Sequence, residues 1–187
     1  MILEDIADKI TQYFAKFITR EEIELAKMKL GIEVLLHDVC MIGLILLLAL
    51  YLSILTETLI FMLVFGIFRM VSGGIHLKSS IGCLIGTGCM VIGGVKISEM
   101  LTLNILQTVV LFIILIIITY WLSPQGTENN PIGQSNRISQ KYCSCILVFS
   151  YMMTAICCSQ IRDLITLAAL FEVVTLILQH IKTRWAI

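Results

Sequence analysis

Six long apolar runs, residues 39–55, 59–71, 81–97, 100–122, 143–158 and 164–181, dominate this chain and decide the solvent in which it can fold. A helix needs about 20 residues to cross the hydrocarbon of a bilayer, with roughly 17 as the lower end. Four of the runs meet or approach that length; 59–71 and 143–158 need flanking residues, tilt or local thinning. The composition agrees, with 58% of the 187 residues apolar, 14% charged and a mean hydropathy of +0.97. A soluble domain is about half apolar and a quarter charged. The expectation is an all-α, polytopic integral membrane protein with about six transmembrane helices, the two short runs leaving a five-span or re-entrant arrangement as the alternative.

Charge tests that reading. The 13 basic residues balance the 13 acidic ones, and no basic cluster is interleaved with aromatics, so nucleic acid is not expected as a partner. If the N-terminus is cytoplasmic, Lys9, Lys16, Arg20, Lys27, Lys29, Arg69, Lys78, Arg137, Lys141, Lys182 and Arg184 all fall on the inner side, leaving Lys96 and Arg162 outside. The positive-inside bias then predicts cytoplasmic termini and a cytoplasmic 69–80 connection. The N-terminal stretch starts with acidic residues and has no apolar run ending in a small-residue cleavage site, so no removable signal peptide is expected.

One membrane-embedded domain over 1–187 is expected, made of amphipathic cytoplasmic-side helices over 1–33 and a bundle over 34–182. Ile6, Ile10, Phe14 and Phe17 share a helical face, as in a helix lying on the membrane surface or docking an amphipathic partner peptide. Thr19 and Glu22 fit a capping box that opens a second helix. The region 123–142 is the one long polar connection and holds both prolines, Pro124 and Pro131. It reads as a cytoplasmic loop, either a plain linker or a surface that touches substrate. Gly82 and Gly86 form a G-x-x-x-G, which predicts close helix packing within a subunit or between two copies in a homodimer.

Seven cysteines, mostly inside apolar runs, read as reduced thiols. No C-x-x-C or H-E-x-x-H motif occurs, so neither a metal nor another cofactor is expected. The chemical candidate is His76 with Cys83, because an imidazole can take the proton of a thiol and the thiolate is a nucleophile. On one continuous helix the two would lie about 10 Å apart along the axis, too far for proton transfer. A catalytic pair therefore requires a break. Gly73 and Gly74 permit a bend, and Ser79 or Ser80 is a natural N-cap for the next helix. With Ser80 as cap, Cys83 meets the unpaired amides and positive dipole end of the first turn, which favour a thiolate. Arg69 could steady that thiolate, bind a substrate carboxylate or sit among lipid headgroups.

Other polar groups in the runs are His37, Asp38, Glu172, Gln179 and His180. Ionisable residues within a membrane are functional candidates by default, and Glu172 lies deepest in its run. Two classes of function compete on this evidence. One is a cysteine hydrolase or transferase; the other is a non-enzymatic small transporter or channel subunit with Glu172, Asp38 and Lys96 along its pathway.

The pattern Arg69, Gly73, Gly74, His76 and Cys83, on a chain of this length and span order, resembles the accessory gene regulator B (AgrB) family of membrane peptidases. The stretch Pro124, Glu128, Asn129, Asn130, Pro131 and Ile132 is similar to that family's polar loop. The resemblance implies a multi-pass bacterial cell-membrane cysteine endopeptidase that processes the precursor of a quorum-sensing peptide. By the same resemblance Cys83 is the nucleophile, His76 the general base, and Arg69 and Gly74 are further positions needed for activity. Gly73 and Ser80 support the bend and cap, while Glu128, Asn129, Asn130 and Pro131 are the substrate-contact candidates. The implied partner is an AgrD-type precursor with an amphipathic N-terminal helix, met at a membrane lipid surface.

Overall fold

The computed structural model describes residues 2–15, 22–74, 80–125 and 134–185, whose regular elements are α-helices and one 3-10 turn. The chain divides into two compact units, Met1–Leu48 and Ala49–Ile187, with the boundary in the last turn of a long helix.

The first unit holds α1 (Ile2–Ala15) and most of α2 (Glu22–Tyr51). On α1, Ala7 and Thr11 are buried one turn apart, and the Thr11 hydroxyl donates to the Ala7 carbonyl at 2.8 Å. Lys29 of α2 lies 2.7 Å from Asp8 of α1 and 3.9 Å from Glu33, so one ammonium links the helices. Ile6 and Phe14, both on the expected apolar face of α1, remain exposed, as a membrane-surface helix requires. Phe17 and Thr19 lie outside the described residues.

The second unit holds α3 (Leu55–Ser72), α4 (Ser80–Met100), α5 (Ile105–Leu122), α6 (Gln134–Cys157), a 3-10 turn at Ser159–Ile161 and α7 (Arg162–Trp185). Five of the described helical segments are long and apolar enough to cross a membrane: Glu24–Tyr51, Leu55–Ser72, Gly82–Met100, Ile105–Leu122 and Ser159–Arg184. The chain is thus an all-α multi-pass membrane protein. The remaining expected span, 143–158, lies within α6, which has the length but opens on polar residues, Arg137, Ser139, Gln140 and Lys141 among them. Since no proline or glycine follows Gly133 there, the helix starts well before the apolar run and takes up half of the expected 123–142 connection.

α5 shows how the sequence sorts its faces. Thr108, Phe112, Leu115 and Thr119 are buried, whereas Leu106, Val110, Ile113 and Ile117 are exposed, each stripe stepping by three or four residues. The exposed stripe is aliphatic because its solvent is lipid. Lipid tails are as apolar as leucine, so close contact rather than water exclusion drives helix packing. α7 forms the centre, burying Leu164, Ile165, Ala168, Ala169, Val173 and Leu176 against α3, α4, α5 and α6. α4 approaches closely at Gly94, where a Cβ would lie 2.6 Å from the Phe61 ring and 2.8 Å from that of Phe171. Those rings meet edge to face at 6.0 Å. The Tyr151 hydroxyl of α6 donates to the Val64 carbonyl of α3 at 3.0 Å.

Successive helices alternate in direction, so the two ends of this unit differ. At one end α5 opens on a capping box: Gln107 N donates to Asn104 Oδ1 at 2.8 Å, and Asn104 N to Gln107 Oε1 at 3.0 Å. There Asp163 Oδ1 accepts from Leu103 N at 3.1 Å, Arg162 Nε donates to Ala155 O at 3.0 Å, and Lys96 pairs with Glu99. The other end gathers the close of α3, α5 and α7 and the start of α4 and α6, with Arg69, Arg137, Lys141, Lys182 and Arg184.

Candidate active site

At that second end α3 stops because Gly73 takes φ +78, a left-handed conformation that glycine adopts without the strain a Cβ imposes. Its amide still closes the helix by donating to Arg69 O at 3.0 Å. Gly74 follows at φ +156, and the chain then leads to His76. The expected bend is therefore present at both glycines. His76 itself, and Ile75 to Ser79 as a whole, lie outside the described residues.

The bend is held from two sides. On one, Gln125 N donates to Ser72 O at 2.9 Å, and Gly73 and Gln125 form an isolated parallel bridge. A Cβ at Gly73 would collide with the Gln125 carbonyl oxygen. The segment leaving α3 and the segment leaving α5 are thus paired backbone to backbone, which brings the Gly73 turn beside Gln125, where the polar loop begins. Gln125 is fixed in turn, its amide nitrogen donating to Leu122 O at 2.7 Å and standing 3.3 Å from His180 Nδ1 on α7. The loop residues Glu128, Asn129, Asn130 and Pro131 lie outside the described residues.

On the other side stands Glu172, fully buried in α7. Its Oε1 accepts from Ser72 Oγ at 3.0 Å and its Oε2 from Thr175 Oγ1 at 3.1 Å. Arg69 Nη1 is 3.8 Å from Oε2, an ion pair rather than a hydrogen bond, and the Arg69 side chain is 25% exposed. Its guanidinium also lies over the Phe65 ring, 5.8 Å from the centroid. Gly74 closes against the same group: a Cβ there would be 2.8 Å from Thr175 Oγ1 and 3.1 Å from both Arg69 Nη1 and Glu172 Oε1. A carboxylate taken out of water is tolerable only when paired and hydrogen-bonded, and Glu172 has both.

α4 begins at Ser80, so Cys83 lies in its first turn, where backbone amides lack intrahelical partners. Cys83 is partly exposed, with its Sγ 4.0 Å from Thr87 Oγ1 one turn on. Nearby membrane-boundary features are the exposed Tyr120 and Trp121 at the end of α5, with Lys141 Nζ 4.0 Å above the Tyr120 ring. Among the described residues no group of His, Cys, Asp and Glu is assembled as for a metal ion.

Arg69, Gly73, Gly74 and Glu172, all singled out in the sequence, thus converge on one turn. Ser72, Thr175 and Gln125 complete it and were not anticipated. Two of them carried a legible signal: Ser72 follows Arg69 by three residues and Thr175 follows Glu172 by three, placing each on the same helical face as a charged residue.

The sequence model described as accessory gene regulator B matches residues 5–176. A chain described as an AgrB-like protein, from Clostridium acetobutylicum, is 26% identical over 179 residues, which cover 94% of this chain and 86% of that one. No solved structure matches.

Proposed function

The chain belongs to the accessory gene regulator B family, and from that premise we propose that it is a membrane-embedded cysteine endopeptidase that processes the precursor of a quorum-sensing peptide. The carrying observation is the Gly73–Gly74 bend, which ends α3 and turns the chain before it reaches His76, so that Arg69 to Cys83 is not one straight helix. In this reading His76 takes the Cys83 proton, and the thiolate attacks a peptide carbonyl of an AgrD-type precursor. The imidazolium returns the proton to the departing amine, the C-terminal tail leaves, and the remaining acyl group stays on Cys83 as a thioester.

A thiol of the substrate then attacks that thioester, forming a thiolactone and releasing the Cys83 thiol; a substrate hydroxyl gives a lactone instead. Ring closure outruns hydrolysis when the attacking group is held close and water is scarce. A site at the membrane boundary serves both needs. The basic residues at that end of the helices, with Lys96 and Arg162 at the other, support cytoplasmic termini and a cytoplasmic-face site. Glu128, Asn129, Asn130 and Pro131, which come soon after Gln125 in the chain, are the proposed contacts to the same peptide. Lipids and a second copy packed through Gly82 and Gly86 complete the proposed partners, in one membrane-embedded domain.

The transporter alternative needs Glu172 along an open pathway. Both its carboxylate oxygens are instead engaged within the protein, and Lys96 is paired with Glu99. The deciding experiment reconstitutes the purified protein in liposomes with a candidate precursor peptide and follows tail release and the acyl-enzyme adduct by mass spectrometry. Tail release with a thioester on Cys83 is expected; cleavage that survives Cys83→Ala sinks the mechanism.

A further inference from the structure

The geometry points to Glu172 as a positioning residue of the peptidase site, the anchor that sets the direction in which the chain leaves α3 toward His76; the inference rests on the peptidase reading above. A buried carboxylate is a poor choice for stability alone, because a buried ion pair can often be exchanged for well-packed apolar groups without loss. What distinguishes Glu172 is where its partners lie. Ser72 Oγ at 3.0 Å and Arg69 Nη1 at 3.8 Å both belong to the last turn of α3, and Gly74, whose Cβ position is 3.1 Å from Oε1, begins the departing segment. Thr175 lies on its own helix, and its hydroxyl aims the second oxygen.

Gly73 is held by its bridge to Gln125, by its amide bond to Arg69 O and by the Ser72 hydroxyl 3.1 Å from its carbonyl, while Gly74 lies against the Glu172 cluster. His76 comes two residues after Gly74, so in the peptidase reading this turn sets the direction from which the chain approaches the general base. A catalytic group displaced by about 1 Å can cost about 100-fold in rate. Glu172 does not act on the substrate; it acts through the turn.

The test uses the full-length protein in liposomes with the precursor peptide, measuring kcat and KM for tail release. Glu172→Gln is expected to lower kcat about 10- to 100-fold while KM stays within about two-fold. Glu172→Asp, which keeps the charge, should lose less than Gln. Ser72→Ala, which leaves the Arg69 and Glu172 charges in place, should lower kcat too, and should cost nothing further in a Glu172→Gln background. Tyr151→Phe, which removes the α6 to α3 hydrogen bond away from this turn, is the control for lost stability and should keep kcat. A Glu172→Gln enzyme with kcat within about two-fold of the unmodified protein overturns the inference, as does a loss that Tyr151→Phe reproduces at the same folded yield. Should Glu172→Gln fail to fold, the same criteria apply to Ser72→Ala. Cleavage that survives Cys83→Ala, or no cleavage by the unmodified protein, overturns the peptidase reading itself and this inference with it.

Discussion

Ser72 donates its hydroxyl to Glu172 Oε1 across 3.0 Å, bonding the last turn of α3 to the middle of α7, 100 residues further along the chain. The same carboxylate faces Arg69, so the join is also electrostatic. Without Ser72 and Arg69 the buried carboxylate would lose both its partners on α3.

Glu172→Ala is therefore expected to destabilise the protein by about 3 kcal/mol, the lower end of the range for breaking a buried pair, since Arg69 is partly exposed. Replacing both charges together, Arg69→Met with Glu172→Leu, should recover most of that loss without restoring peptide cleavage. Helicity followed through an SDS titration measures the stability. A double variant no more stable than Glu172→Ala would show that the pair is not what holds α3 to α7.

The neighbouring glycines of α4 should behave oppositely. Gly94→Ala drives a methyl group into the Phe61 and Phe171 rings and should cost about 1–3 kcal/mol. Gly93→Ala meets nothing within 4 Å and should be neutral or stabilising by up to about 1 kcal/mol, from helix propensity. Thermal unfolding in detergent compares the two, and equal shifts would count against the close approach of α4 at Gly94.

Gly73→Ala should be damaging on two counts. The residue sits at φ +78, and its Cβ would strike the Gln125 carbonyl, so the strain is about 1–3 kcal/mol and the bridge is lost. Limited proteolysis should then cut faster between 75 and 79 and between 126 and 133, with tail release falling. Gly66→Ala, with open space around it, should leave both unchanged.

Thiol labelling separates exposure from activation. Cys89 is exposed and Cys83 only partly so, so toward a membrane-permeant reagent accessibility alone predicts that Cys89 reacts first. The proposed mechanism predicts the reverse, with Cys83 alkylated faster by a small reagent, increasingly so as pH rises and thiolate forms, and more slowly in His76→Ala. Peptide mapping by mass spectrometry assigns the sites. Cys89 labelling faster than Cys83 throughout would count against an activated nucleophile.

What could be read from residue order is whatever obeys a short period. The α5 stripes, the α1 face and the glycine bend follow from spacing or from the conformational freedom of glycine, and all three are present. α6 starts before the apolar run because hydropathy marks where a chain meets lipid, whereas backbone bonding continues into polar residues such as Gln140 and Lys141 until something breaks it. Glu172 stood out as an ionisable residue in an apolar run, but its partners on α3 lie about a hundred positions away, beyond any local pattern. Gln125 was hidden for another reason. It meets Gly73 through main-chain atoms, which every residue possesses, so its side chain carried no sign of the contact.

That last point bears on how such a protein can change over time. The tie between Gly73 and Gln125 asks for glycine on one side and for nothing in particular on the other. Under the proposed function, residues beyond Gln125 can drift with the peptide while the turn they follow keeps its address. New dialects of a signal would then arise in the loop without retuning the Gly73–Gly74 turn.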